Sequence, residues 1–207
     1  MTKPIKIAVT GSAGSGKTFV CSRFRELGMN VISADTLARD AVAPESPAYE
    51  RIVNFFGEAV LREDGTLNRQ MLRRRMITDE RARKTLEQII HPEIQLRMQL
   101  KMSEAEQSGD PAVIVEVPLL FESGTADRFD AVITVAADRE LQIKRLVDRD
   151  GISRDEAKAL LMAQMSDDEK IKQSEFVIEN NGTPDWLKRS VDAVYEKICR
   201  KYLKRIE

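Results

Sequence analysis

The sequence predicts an α/β fold: a five-stranded parallel sheet flanked by helices and interrupted by two helical insertions. Three observations lead there. Five short runs rich in Val and Ile are each bounded by polar or small residues, as buried strands are. Helical spacing of apolar residues fills the gaps, and such alternation favours a parallel sheet covered on both faces. A glycine-rich stretch follows the first run directly.

The elements follow in order. Ile5–Thr10 reads as the first strand and 19–27 as the helix after the glycine-rich stretch. Asn30–Ser33 is the second strand, with a helix over 36–43. Segment 44–110 breaks the alternation: Ile52, Val53, Phe55 and Phe56, and later Leu86, Ile89 and Ile90, recur at helical spacing. It is expected to be a helical insertion, with a break or kink near His91 because Pro92 opposes helix continuation. Strands at 112–117 and 131–135 come next. A second insertion, 138–173, contains Ser153–Glu156 and Ser166–Glu169, two capping boxes that mark helix starts. A last strand at 176–178 precedes a helix capped by Thr183 with Pro184 in its first position. The core is thus expected from 1–43, 111–137 and 174–207.

Composition narrows the function. With 42% apolar and 32% charged residues the chain is globular. A net charge of −1 gives no support for a nucleic-acid surface. No apolar run of membrane-spanning length occurs and the first residues lack a secretory pattern. Cys21 and Cys199 lack metal spacing, so reduced thiols and a cytoplasmic location are expected.

Gly11-Ser12-Ala13-Gly14-Ser15-Gly16-Lys17-Thr18 fits G-x-x-x-x-G-K-[ST] between a strand and a helix. Glycines let successive N–H groups turn into one hollow that receives phosphate oxygens. The helix N-terminus adds partial positive charge. Lys17 reaches the β- and γ-phosphates, and the Thr18 hydroxyl ligates Mg²⁺. The expected ligand is ATP with Mg²⁺. A GTPase needs an N-K-x-D stretch, which is absent, and Asp148-Arg149-Asp150-Gly151 follows a helical run rather than a strand. A small-molecule kinase suits the length, with 44–110 holding the acceptor and 138–173 closing as a lid against water. Asp35, just after the second strand, stands at the sheet's carboxyl end, where ligands bind in open α/β folds. It accepts the acceptor's proton, or caps the following helix, or both.

These stretches resemble the dephospho-CoA kinase family of P-loop kinases. The resemblance rests on the phosphate loop, Ala34-Asp35-Thr36-Leu37-Ala38-Arg39, Asp64-Gly65-Thr66-Leu67-Asn68-Arg69 and His91-Pro92. It extends through Val117-Pro118-Leu119-Leu120-Phe121-Glu122, Arg149-Asp150-Gly151 with Ala163-Gln164, and Val177-Ile178-Glu179-Asn180-Asn181-Gly182. It implies transfer of the ATP γ-phosphoryl to the ribose 3′-hydroxyl of dephospho-CoA; another nucleotide or small-metabolite kinase is the alternative. It places the base at Asp35, lid arginines at Arg145 and Arg149, and an adenine-side residue at Asn180. Arg145 and Arg149 share a helix face, where a solvated surface paired with Asp148 and Asp150 is the competing reading. Asn180 is otherwise a turn residue. Glu116 holds Mg²⁺ through water or is a strand-end surface acid. Leu119, Leu120 and Phe121 wall the acceptor or belong to the core. Arg39, Arg69, Arg73, Arg74 and Arg75 compete to meet the acceptor's pyrophosphate. His91 matches the family's His-Pro pair, with a structural role beside a helix break as the stronger reading. ATP and dephospho-CoA are the expected partners, without nucleic acid or membrane, in a monomer or small homo-oligomer.

The chain also departs from the family pattern. The loop opens Gly11-Ser12-Ala13 where the family usually has Gly-Gly-Ile, and Ser33 replaces an acid two residues before Asp35.

Overall fold

The computed structural model describes residues 3–203, and within them omits the side chains of Arg73, Arg74, Ile77 and Thr78. The chain divides into two units, residues 1–33 with 104–207, and residues 34–103.

The first unit is built on five parallel strands: β1 (Ile5–Thr10), β2 (Asn30–Ser33), β3 (Ala112–Glu116), β4 (Ala131–Ala136) and β5 (Phe176–Glu179), in the order β2-β3-β1-β4-β5. β3 and β4 are buried along their whole length, so they read as continuous apolar runs rather than alternating ones. β1 is central. After it the chain moves to one side for β2 and β3, then to the other for β4 and β5. The loop after β1 therefore sits where the strand order reverses, at the carboxyl edge.

Helices cover the sheet because their apolar residues line up. α1 (Lys17–Glu26) buries Val20, Cys21 and Phe24. α9 (Pro184–Ile198) buries Leu187, Val191, Val194 and Ile198, a stripe at 4-3-4 spacing. Both pack on Ile7, Val9, Ile114, Ile133 and Val135. Ala8, Val132 and Leu120 form a smaller cluster. A wider π-type turn over Cys199–Leu203 follows α9.

In the second unit, α2 (Ala34–Ala41), α3 (Pro47–Phe56), α4 (Arg69–Thr78) and α5 (Glu80–Gln107) follow one another, and the last turn of α5 passes into the first unit. Ile52, Val60, Leu67, Leu72 and Leu86 make its core. Asp64 accepts from the Thr66 amide and hydroxyl, and the Tyr49 hydroxyl donates to the Gly65 carbonyl at 2.7 Å, which ties the Asp64-Gly65-Thr66 turn to α3.

Two local expectations are corrected. α5 continues through Pro92 instead of breaking near His91. A proline forfeits one backbone hydrogen bond, whereas buried Leu86 and Ile89 tie the preceding turns to the core. α2 starts at Ala34, so Asp35 lies in its first turn rather than capping it.

Segment 138–173 forms α6 (Arg139–Asp150), α7 (Arg154–Met162) and α8 (Asp167–Lys172). Ser153 with Glu156, and Ser166 with Glu169, make both reciprocal capping bonds. Gly151 closes α6 in the left-handed region, so Asp148–Gly151 is a helix end and not a switch loop.

Candidate active site

Gly11–Thr18 joins the carboxyl end of β1 to the start of α1. Gly11, Gly14 and Gly16 hold φ values of 147°, 75° and 97°, in the half of conformational space that side-chain-bearing residues avoid. Close packing requires glycine as well. A Cβ at Gly11 would meet the Val135 carbonyl oxygen at 2.2 Å, one at Gly14 the Gln142 carbonyl oxygen at 2.7 Å, and one at Gly16 the Asn180 Nδ2 at 2.2 Å.

The loop is fastened from several elements. Asn180, buried just after β5, donates from Nδ2 to the Ser15 carbonyl at 2.7 Å. The Arg145 guanidinium donates to the Gly14 carbonyl at 3.1 Å and to Asn180 O and Oδ1 at 3.1 and 3.2 Å. Its partial burial pushes its pKa down. Asn180 is therefore a clasp on the loop and more than a turn residue. Asn181 fixes the next corner, accepting from the Asp138 amide at 2.7 Å and donating to its carboxylate at 2.9 Å.

On the other side Ser12 Oγ donates to Asp167 Oδ1 at 2.5 Å and the Ala13 amide donates to Gln164 Oε1 at 2.9 Å. The Ser15 amide donates to the Ser12 carbonyl. The amides of Ala13 and Ser15 are thus engaged within the protein. Lys17 Nζ donates to the carbonyls of Gly11 and Ser12 at 2.8 and 3.1 Å. The Ser15 hydroxyl is fully buried and has no hydrogen-bond partner.

Thr18 is exposed in the first turn of α1, and Glu116 is buried at the end of β3, in register with Val9 of β1 and Ser33 of β2. No cluster of three or more His, Cys, Asp or Glu able to hold a metal occurs among the described residues. One hydroxyl and one strand-end carboxylate instead fit a hard ion that arrives with a polyphosphate and keeps most of its water.

The dephospho-CoA kinase family profile matches residues 5–185. The chain belongs to the dephospho-CoA kinase family. Dephospho-CoA kinase of Geobacter sulfurreducens is 43% identical over 191 residues, 92% of this chain and 97% of that one. That of Geobacter metallireducens is 44% identical, covering 94% and 97%. A Thermus thermophilus crystal structure, TT1252, superposes with a TM-score of 0.80 at 36% identity, covering 95% of this chain and 99% of that one. Dephospho-CoA kinase from Campylobacter jejuni gives 0.70 at 29% identity, covering 94% and 97%. A shikimate kinase from Acinetobacter baumannii, at 15% identity and a TM-score of 0.53, shares the fold.

The other residues that the dephospho-CoA kinase resemblance singles out fall in different surroundings. Asp35 is exposed, two residues beyond Ser33 at the end of β2. Arg149 is bound to Asp150 by two bonds of 2.7 Å, and this partner holds its pKa up. Leu119 is 47% exposed. Leu120 is completely buried with Ala8 and Val132, which is the core reading of the two given for it. His91 is exposed on a continuous helix, which removes the helix-break role. Arg39 is exposed, and its carbonyl accepts from Arg69 at 3.5 Å. The side chains of Arg73 and Arg74 lie outside the described residues.

Sequence reasoning missed Lys170. It is fully buried, with Nζ 3.0 Å from Glu122 Oε1 and 3.5 Å from Ser12 Oγ. Its position in a polar, capped, six-residue helix reads as solvated surface. The one available signal is its i,i+3 spacing from Asp167.

Proposed function

We propose that the chain transfers the γ-phosphoryl group of ATP to the ribose 3′-hydroxyl of dephospho-CoA, giving coenzyme A and ADP in the cytoplasm. The phosphate loop carries this reading: three glycines at positive φ, set between β1 and α1 beside Lys17. Loop amides other than those of Ala13 and Ser15, with the start of α1, receive the β- and γ-phosphates. Lys17 exchanges the Gly11 and Ser12 carbonyls for phosphate oxygens, a stronger charge-assisted pairing. Thr18, and Glu116 through water, would hold the Mg²⁺ that enters with ATP, which would supply charge neutralisation at the phosphates.

Asp35 orients the 3′-hydroxyl and takes its proton as the oxygen attacks the γ-phosphorus and the bond to ADP breaks. Arg145 stays beside the loop, and Arg149 leaves Asp150 to meet charge on the moving phosphoryl. That exchange costs little, because Arg149's side chain is 65% exposed and surface ion pairs contribute weakly. Leu119, Arg39 and His91 are exposed candidates for the acceptor side. Positioning and electrostatics supply the catalysis.

The test is a coupled assay of ADP release with ATP and Mg²⁺, with and without dephospho-CoA, alongside a panel of other alcohols. Release that depends on dephospho-CoA is expected. Release driven equally by another acceptor sinks the reading.

A further inference from the structure

A chain of polar contacts runs from the phosphate loop to the segment after β3. Glu122, in the segment after β3, accepts from Lys170 Nζ at 3.0 Å and from the Met165 amide at 3.0 Å. Burial pushes its carboxyl up, but its own backbone hydrogen bond and Lys170 outweigh this and hold it below the ordinary glutamate range. Lys170 also reaches Ser12 Oγ at 3.5 Å. Ser12 donates to Asp167, which also accepts from Gln142 Nε2 at 2.6 Å and from the Ala137 amide at 3.3 Å. Lys170 is completely buried, and a buried ammonium is tolerated only when paired and hydrogen-bonded.

We infer that Asp167 and Lys170 are positioning residues for the phosphate loop: through the Ser12 hydroxyl they hold its glycine-rich backbone in the phosphate-receiving form before ATP arrives. A glycine-rich loop left free must be ordered at the moment of binding, and that entropy is subtracted from affinity. Fastening Ser12 removes this cost in advance. A glycine at this position would carry no hydroxyl, so the link depends on the Ser12 side chain itself. Through Glu122 the same brace joins the loop to the segment bearing Leu119.

The inference rests on the phosphate-loop reading, and the test separates the two. ATP affinity is measured by titration calorimetry on the full chain without acceptor, well below the unfolding temperature. Wild type, Ser12→Ala, Lys170→Met and the double variant are compared, with kcat and KM for ATP alongside. Each single variant is expected to weaken ATP binding by about tenfold, a usual size for a broken hydrogen-bond network. KM for ATP follows in each, and in Lys170→Met, which lies outside the loop, kcat at saturating ATP stays near wild type. The double variant binds about as weakly as Lys170→Met alone, because both lesions cut one chain. Wild-type affinity in the single variants overturns the inference whatever their melting temperatures, and so does strict additivity in the double. If Lys170→Met does not fold, Ser12→Ala and Glu122→Gln decide by the same measurement. A wild type that binds no ATP overturns the phosphate-loop reading itself.

Discussion

A single methyl group is enough to test the loop. Gly16→Ala places a Cβ 2.2 Å from Asn180 Nδ2 at a φ of 97°. The clasp or the turn must give way, so ATP affinity measured by calorimetry falls while the far-UV circular dichroism stays native. Asp35→Asn keeps the shape and removes the basic oxygen. Turnover is expected to drop at least about a hundredfold, the lower range for a general base, with ATP affinity unchanged. Near-normal turnover reduces Asp35 to a helix residue. Cys21 offers a test by pH. Burial first, then the Glu116 carboxylate, push its thiol up to about 12, so thiolate is scarce at pH 8. Iodoacetamide at that pH should label Cys199, which is partly exposed, well before Cys21. At this scale the sequence shows Lys17, Thr18 and the glycines because their spacing is itself the signal. It hides Lys170, since a buried lysine is identified by partners that lie far away along the chain.

Secondary elements were legible where their causes are local. Ser153 and Ser166 each sit three residues before a glutamate, and both capping boxes form. The five strands fall within a residue of expectation because Val/Ile runs flanked by polar residues have few alternatives. α5 was misjudged because the cost of Pro92 is local while its compensation, the burial of Leu86 and Ile89, is tertiary. Proline in a helix interior costs ~3 kcal/mol relative to alanine. Pro92→Ala should therefore raise the urea midpoint without changing its slope, and a lowered midpoint means the ring packs usefully. Ser166→Ala should cost about 1 kcal/mol in the same experiment.

Across the whole molecule, parallel pairing was legible but the strand order β2-β3-β1-β4-β5 was not. Order depends on which strand each crossover returns to, and no single segment carries that information. Arg149 is an example of the same limit: its neighbour Asp150 engages it in the structure, while its proposed work depends on closure around a substrate. Arg149→Ala should lower kcat more than it raises KM for either substrate, and an effect on KM alone removes it from the transition state. The Asn180–Ser15 bond spans 165 positions of sequence. Nucleotide capture is then a property that a nascent polypeptide gains late: a ribosome-tethered chain stalled before β5 emerges carries every glycine of the loop yet lacks its clasp. Fragments ending ahead of Asn180 should pass through an ATP-agarose column unretained, and adding back the missing carboxyl-terminal piece should restore retention.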